Sequence, residues 1–292
     1  MDKGIYTALS GGLAKSREVE LIANNLANAT TPGFKRDTGT FNEYLTELRR
    51  NDTADGVNRE INAITDPDAR VTGDKSFVEM DAVYTDFRQG QLTRTGRSLD
   101  MGIEGNGFFE VLTPGGLRYT RAGNFSIDPE GRLVTVNGYP VLSKAAQGQA
   151  AGASIQTIGV PPAPGQPVPT RDPRPEDRII RLQQAPVEIT EEGIIRQNGG
   201  EVARLQVEEF QEPQWLEKVG HTYYRNVNPR NLKNGDVTSK VHQGFIEGSN
   251  VNPVSEMTRL IEATRSYESH LQAIKTYQDI DSKTVNDIAK ER

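Results

Sequence analysis

The sequence predicts an α+β protein with long helices at the two chain ends, paired in coiled-coil-like fashion, and a β-rich middle domain. Three observations predict it. Apolar residues at the N-terminus recur at alternating steps of four and three. The same spacing returns at the C-terminus in a stretch without Gly or Pro. Between the two, the texture changes to short apolar runs separated by Gly, Pro and Asn-Gly turns.

The first helix covers the opening 30 residues. Ile5, Leu9, Gly12, Ser16, Val19, Ala23 and Leu26 line one face, and the small members allow close backbone approach. The helix is expected to stop near Thr31. Pro32 disfavours the helical region at the residue before it, and Gly33 follows. Asn24, Asn25 and Asn28 fall in the last turns. They are poor helix formers suited to capping the end or bonding to a neighbour.

The second helix is expected from Pro253, with Asn252 as its cap, to Ala289, a length of about 55 Å. Met257, Leu260, Thr264, Tyr267, Leu271, Ile274, Gln278, Asp281, Val285 and Ile288 form its stripe. A stripe that narrow on a helix that long calls for a helical partner. An ordinary core helix is the plainer explanation of such spacing. Two matching stripes at opposite chain ends weigh against it, because loop-closure cost grows only logarithmically with separation. The candidate seam is therefore Ile5, Leu9, Val19, Leu26, Met257, Leu260, Tyr267, Leu271 and Ile274.

In the middle, Phe108–Leu112 reads as a strand ended by Pro114-Gly115-Gly116. Phe125–Ile127 and Leu133–Val136 flank the turn Asp128-Pro129-Glu130-Gly131, and Asn137-Gly138 is a hairpin signal before Tyr139–Leu142. Ala203, Leu205 and Val207 alternate with Arg204, Gln206 and Glu208, the pattern of one half-buried strand. The expected organisation is a helix over 1–35, a connecting segment over 36–88, a β-rich domain over 89–249 and a helix over 250–292. Residues 143–178 form an insertion rich in Pro, Ala and Gly, read as an extended surface segment.

Composition narrows the function. Of the 292 residues, 35% are hydrophobic and 25% charged, and none is cysteine, which rules out disulfides and thiolate chemistry. A mean hydropathy of −0.62 is polar for a single compact globule and fits either much exposed surface or segments that stay unfolded alone. The net charge of −6 has no basic block, so nucleic acid is not an expected partner. No stretch approaches the roughly 20 apolar residues of a membrane helix, and no secretory signal peptide is visible. His221, His242 and His270 show no metal-ligand spacing. Gly102, Gly105 and Gly107 precede a strand rather than a helix, so they do not form a phosphate loop. No catalytic, cofactor or metal site is expected.

Three blocks then carry a resemblance. Ile22–Lys35 reads Ile-Ala-Asn-Asn-Leu-Ala-Asn-Ala-Thr-Thr-Pro-Gly-Phe-Lys; Leu99–Phe109 reads Leu-Asp-Met-Gly-Ile-Glu-Gly-Asn-Gly-Phe-Phe. Tyr119-Thr120-Arg121, Gly131–Val134 and Gly138–Leu142 continue the second. Glu247–Glu268 contains Gly248-Ser249-Asn250-Val251-Asn252-Pro253-Val254 and Arg265-Ser266-Tyr267-Glu268. In this order they resemble the signatures of the flagellar axial proteins, the rod and hook family.

The resemblance implies a structural subunit of the flagellar basal-body rod, at its proximal part, that self-assembles through its terminal helices and transmits torque towards the hook. It implies other rod subunits and further copies of itself as partners. It also implies the flagellar export apparatus as the route to a periplasmic rod, without a cleavable signal. Asn24, Asn25, Asn28, Pro32, Gly33, Phe34, Asn250, Asn252 and Pro253 are its motif residues in this chain. A distal rod or hook-type axial protein is the alternative within the family. A generic binding protein with a helical stalk and an enzyme carried on the β domain are the alternatives outside it.

Overall fold

A computed structural model describes residues 2–46, 75–144, 174–183, 185–233, 235 and 237–290. The body of the 143–178 insertion and the centre of the 36–88 segment lie outside the described residues. The chain divides into two compact units. One comprises residues 1–27, 37–84 and 252–292; the other comprises residues 28–36 and 85–251.

In the first unit, helix α1 (Asp2–Ala27) and helix α2 (Pro253–Lys290) accompany a two-stranded antiparallel ribbon of β1 (Asp37–Thr46) and β2 (Lys75–Thr85). Helix α1 ends at Ala27, before the expected Thr31. Asn25 is fully buried there. Its amide donates to the Asp37 carbonyl at 2.8 Å and accepts from the Asp37 amide at 3.0 Å, which ties the helix end to β1. The Asn252 side chain caps α2, accepting from the amides of Val254 and Ser255 at 3.1 and 3.3 Å.

The expected coiled-coil-like pairing of long terminal helices is corrected here. The helices have 26 and 38 residues, and a long pairing along an apolar seam is not what they show. Leu9, Met257 and Leu271, expected in the seam, are 43%, 46% and 39% exposed. The buried positions are instead Gly12, Ala14, Ile22 and Asn25 on α1, with Glu256 and Ala263 on α2. The helices meet where side chains are small: the His270 ring occupies the space beside Gly11, 2.8 Å from where a Cβ would stand. A coiled coil requires large apolar knobs at both alternating positions, and on α2 one of the two falls to Glu, Ala and His.

The second unit is built of short antiparallel strands. Its largest sheet has five, in the order β12 (Val207–Glu209), β5 (Gly107–Thr113), β6 (Gly116–Thr120), β14 (Tyr223–Asn226) and β13 (Leu216–Val219). A three-stranded sheet runs β11 (Gly200–Arg204), β10 (Ile194–Gln197), β9 (Val187–Ile189). Three pairs complete it: β3 (Leu92–Arg94) with β16 (Phe245–Glu247), β4 (Met101–Glu104) with β15 (Lys240–Gln243), and β7 (Ser126–Ile127) with β8 (Leu133–Val134).

The turn chemistry explains the strand ends. Gly116 and Gly138 take φ values of 93° and 79°, which side chains disfavour. The alternation over 203–208 does not make one strand. It divides between β11 and β12, which belong to different sheets, while Leu205 and Val207 stay buried.

Strand β5 separates two cores. On one side Phe109 and Val111 pack with Met101, Ile103, Leu133, Val141 and Ile195. On the other, Phe108 joins an aromatic cluster of Tyr119, Phe210 and Tyr224, with Phe87 against it. The Phe108 ring meets those of Phe210 and Tyr224 edge-on at 5.6 and 5.7 Å.

Candidate functional site

The most unusual chemistry of the second unit lies where residues 28–36 and 247–251 come together. Gly33 makes the first move. Its φ of 69° is left-handed, and the backbone of Ala122 fills the place of a side chain. Only glycine fits that turn without strain. It delivers Phe34 and Lys35 into the interior, both fully buried.

A lysine does not go inside without a counter-charge. Lys35 Nζ lies 2.5 Å from Glu247 Oε1 and donates to the Arg88 carbonyl at 2.8 Å. The other carboxylate oxygen of Glu247 accepts from Arg121 Nη1 at 3.1 Å. The Gly90 amide donates to Oε1 at 2.8 Å. Arg121 donates again to the Gly105 carbonyl at 2.7 Å and lays its guanidinium over the Phe108 ring at 4.7 Å. The three charged side chains are at most 2% exposed. Burial pushes the Lys35 amine below its ordinary pKa, against the pull of Glu247. Burial lowers Arg121 likewise, again with Glu247 opposing. Removing one member of such a group while the others stay buried costs about 3–5 kcal/mol.

Backbone bonds reinforce the triad. The Gly33 amide donates to the Glu247 carbonyl, and the Asp86 amide to the Arg36 carbonyl, both at 2.8 Å. Asn250 accepts from the Arg36 amide at 2.8 Å and donates to the carbonyls of Asp86 and Arg88 at 2.7 and 3.1 Å. Lys218 donates to the Lys35 carbonyl at 2.8 Å, with its ammonium 3.9 Å from the Phe34 ring centre. Asn28 lies 3.4 Å from a ring nitrogen of His221.

The motif residues thus divide. Asn28, Gly33, Phe34 and Asn250 belong to this junction, with Pro32 half-buried beside it. Asn25 and Asn252 hold elements of the first unit, where Pro253 opens α2 and Asn24 is exposed. Of the seam residues, Ile5, Val19, Leu26, Leu260, Tyr267 and Ile274 are partly buried. The functional weight of Arg121 and Glu247 was not visible in the pattern, since isolated charges in a polar sequence read as surface. The one signal was their place inside the blocks that carry the resemblance. Among the described residues, no group of three or more His, Asp or Glu side chains could hold a metal ion, and no helix is long and apolar enough to cross a membrane.

A polar junction of this kind holds chain segments in register; it presents no nucleophile beside a base. Helices at both chain ends flank a β-rich centre. Residues 5–35 match the family described as Flagella basal body rod protein. Residues 102–196 match the Flagellar hook protein FlgE/F/G D1 domain, and 242–288 the Flagellar basal body rod FlgEFG protein C-terminal.

The chain belongs to the flagellar basal-body rod protein family. The flagellar basal-body rod protein FlgF of Caulobacter vibrioides is 33% identical to it over 292 residues, covering 99% of both chains. The FlgF of Rhizobium meliloti is 28% identical over 269 residues, covering 92% of this chain and 90% of its own. The FlgG of Bacillus subtilis is 28% identical over 293 residues, covering 98% and 99%.

Proposed function

We propose that this protein is a structural subunit of the proximal part of the rod, of the FlgF type, built into the rod with other rod subunits and further copies of itself. The observation that carries the reading is the match to the Caulobacter FlgF along almost the whole of both chains. The helices supply a physical reason for assembly. Large apolar side chains stay exposed on both, among them Leu9 and Leu13 on α1 and Met257, Ile261 and Leu271 on α2. Such side chains find burial against neighbouring subunits. The role is mechanical: the subunit passes torque towards the hook, and it reaches the periplasmic rod through the flagellar export apparatus. Asn24, Leu9, Met257 and Leu271 contact neighbours, while Gly33, Phe34 and Asn250 set the fold.

The test is the place of an epitope-tagged chain in purified basal bodies. Label at the membrane-proximal end of the rod is the expected result. Label at the distal end would give the protein the FlgG role, which the Bacillus relative makes the second reading. Absence from basal bodies would overturn both. Export is tested separately, by accumulation of the chain in the cytoplasm when the export apparatus is deleted.

A further inference from the structure

We infer that the Lys35–Glu247–Arg121 triad is a latch: it couples residues 33–36 to residues 247–250, so that both segments leave and rejoin the second unit together while its β core stays folded. The contacts are reciprocal. Lys35 holds the Glu247 carboxylate, the Gly33 amide holds the Glu247 carbonyl, and Asn250 holds the Arg36 amide. Both segments also lean on one strip of chain. The Arg88 carbonyl accepts from Lys35 and from Asn250, and the Gly90 amide donates to Glu247.

The bonds of Glu247 make separate departure costly. If the Lys35 segment left alone, Glu247 would keep Arg121 but lose the ammonium now 2.5 Å away and the bond from the Gly33 amide to its carbonyl. If the Glu247 segment left alone, Lys35 and Arg121 would remain as two buried cations with no carboxylate between them. Joint departure leaves one cation, Arg121, without its carboxylate instead of two; it keeps its bond to the Gly105 carbonyl and its place over Phe108. The β core has independent support. Phe109 and Val111 are fully buried, and β5 is paired on both sides, with β6 and β12.

Native-state hydrogen exchange on the full chain tests it. In the wild type, the amides of Gly33, Arg36 and Gly248 are expected to exchange through one opening with a common denaturant dependence. That opening precedes the one that exposes Phe109 and Val111. In Lys35→Met and in Glu247→Gln, the same amides should exchange at least about 100-fold faster together, with Phe109 and Val111 within about threefold of wild type. Loss of protection in one segment without the other would overturn the latch. So would unchanged exchange, or equal loss at Phe109 and Val111, which would make the triad an ordinary part of the core. Should a variant fail to fold, the wild-type profile decides alone: different denaturant dependences for Gly33 and Gly248, or either one exchanging only with Phe109, sink the proposal.

Discussion

The backbone nitrogen of Ala122 stands where a side chain on Gly33 would begin. The glycine is therefore required twice, by its φ of 69° and by lack of room. Gly33→Ala should cost at least about 2 kcal/mol, since a left-handed residue with a Cβ alone costs roughly 1–2 kcal/mol and the overlap adds to it. A urea titration would show a lower midpoint at unchanged slope. An unchanged midpoint would mean that the turn is made differently.

Glu209 gives a pH dependence. Burial opposes its charge, but hydrogen bonds from Lys233, Ser239 and Thr238 outweigh that and bring it from 4.5 to about 2. Four of those bonds reach one oxygen, from the amides and hydroxyls of Thr238 and Ser239 at 2.7–2.9 Å. A depressed carboxylate stabilises the fold fully above its unfolded value and loses that contribution as pH falls through its folded one. Glu209→Gln should cost about 1.5–3 kcal/mol at pH 7. The gap between variant and wild type should close between pH 4.5 and about 2. Acid titrations followed by circular dichroism check this; a gap independent of pH would count against it.

Two adjacent glycines in α1 should respond oppositely. At Gly12 a Cβ would meet only ordinary contact, 3.6 Å from His270 Cβ, so Gly12→Ala should gain up to about 1 kcal/mol of helix propensity. At Gly11 it would press on the His270 ring, and a larger side chain would have to expel it. Gly11→Leu should cost about 1–3 kcal/mol as an overpacked contact. Thermal melts of the two variants measured side by side would separate them by sign.

Leu13 and Ile261, exposed on α1 and α2, test the assembly reading. Leu13→Asp and Ile261→Asp should change the stability of the isolated chain by no more than about 0.5 kcal/mol. Motility should nevertheless be lost. Normal swimming with both changes would remove these faces from the rod contact.

What could be read in the sequence followed physical rules with local signatures. Asn252-Pro253 marks the start of α2 because capping and a fixed φ are properties of those two residues. Phe108–Leu112 and its Gly-rich turn mark the β5–β6 hairpin for the same reason. Met257 and Leu271 stay exposed within the single chain because apolar spacing alone does not fix which face is covered there. The sheltered positions include Glu256, next to Met257, and Ala263, next to Thr264. The triad was illegible for a different reason. Lys35 and Glu247 are 212 residues apart, and nothing local to either announces burial. Only tertiary geometry makes a lysine an interior residue. The alternation at 203–208 promised a single strand because period two survives a change of sheet.

The discontinuity of the second unit has a practical meaning for anyone exchanging parts between relatives. A graft of residues 85–251 would carry Glu247 and Arg121 but leave behind the peptide they were shaped around, Gly33-Phe34-Lys35. The transferable module is therefore written in two places in the gene, and the shorter piece must travel with the longer.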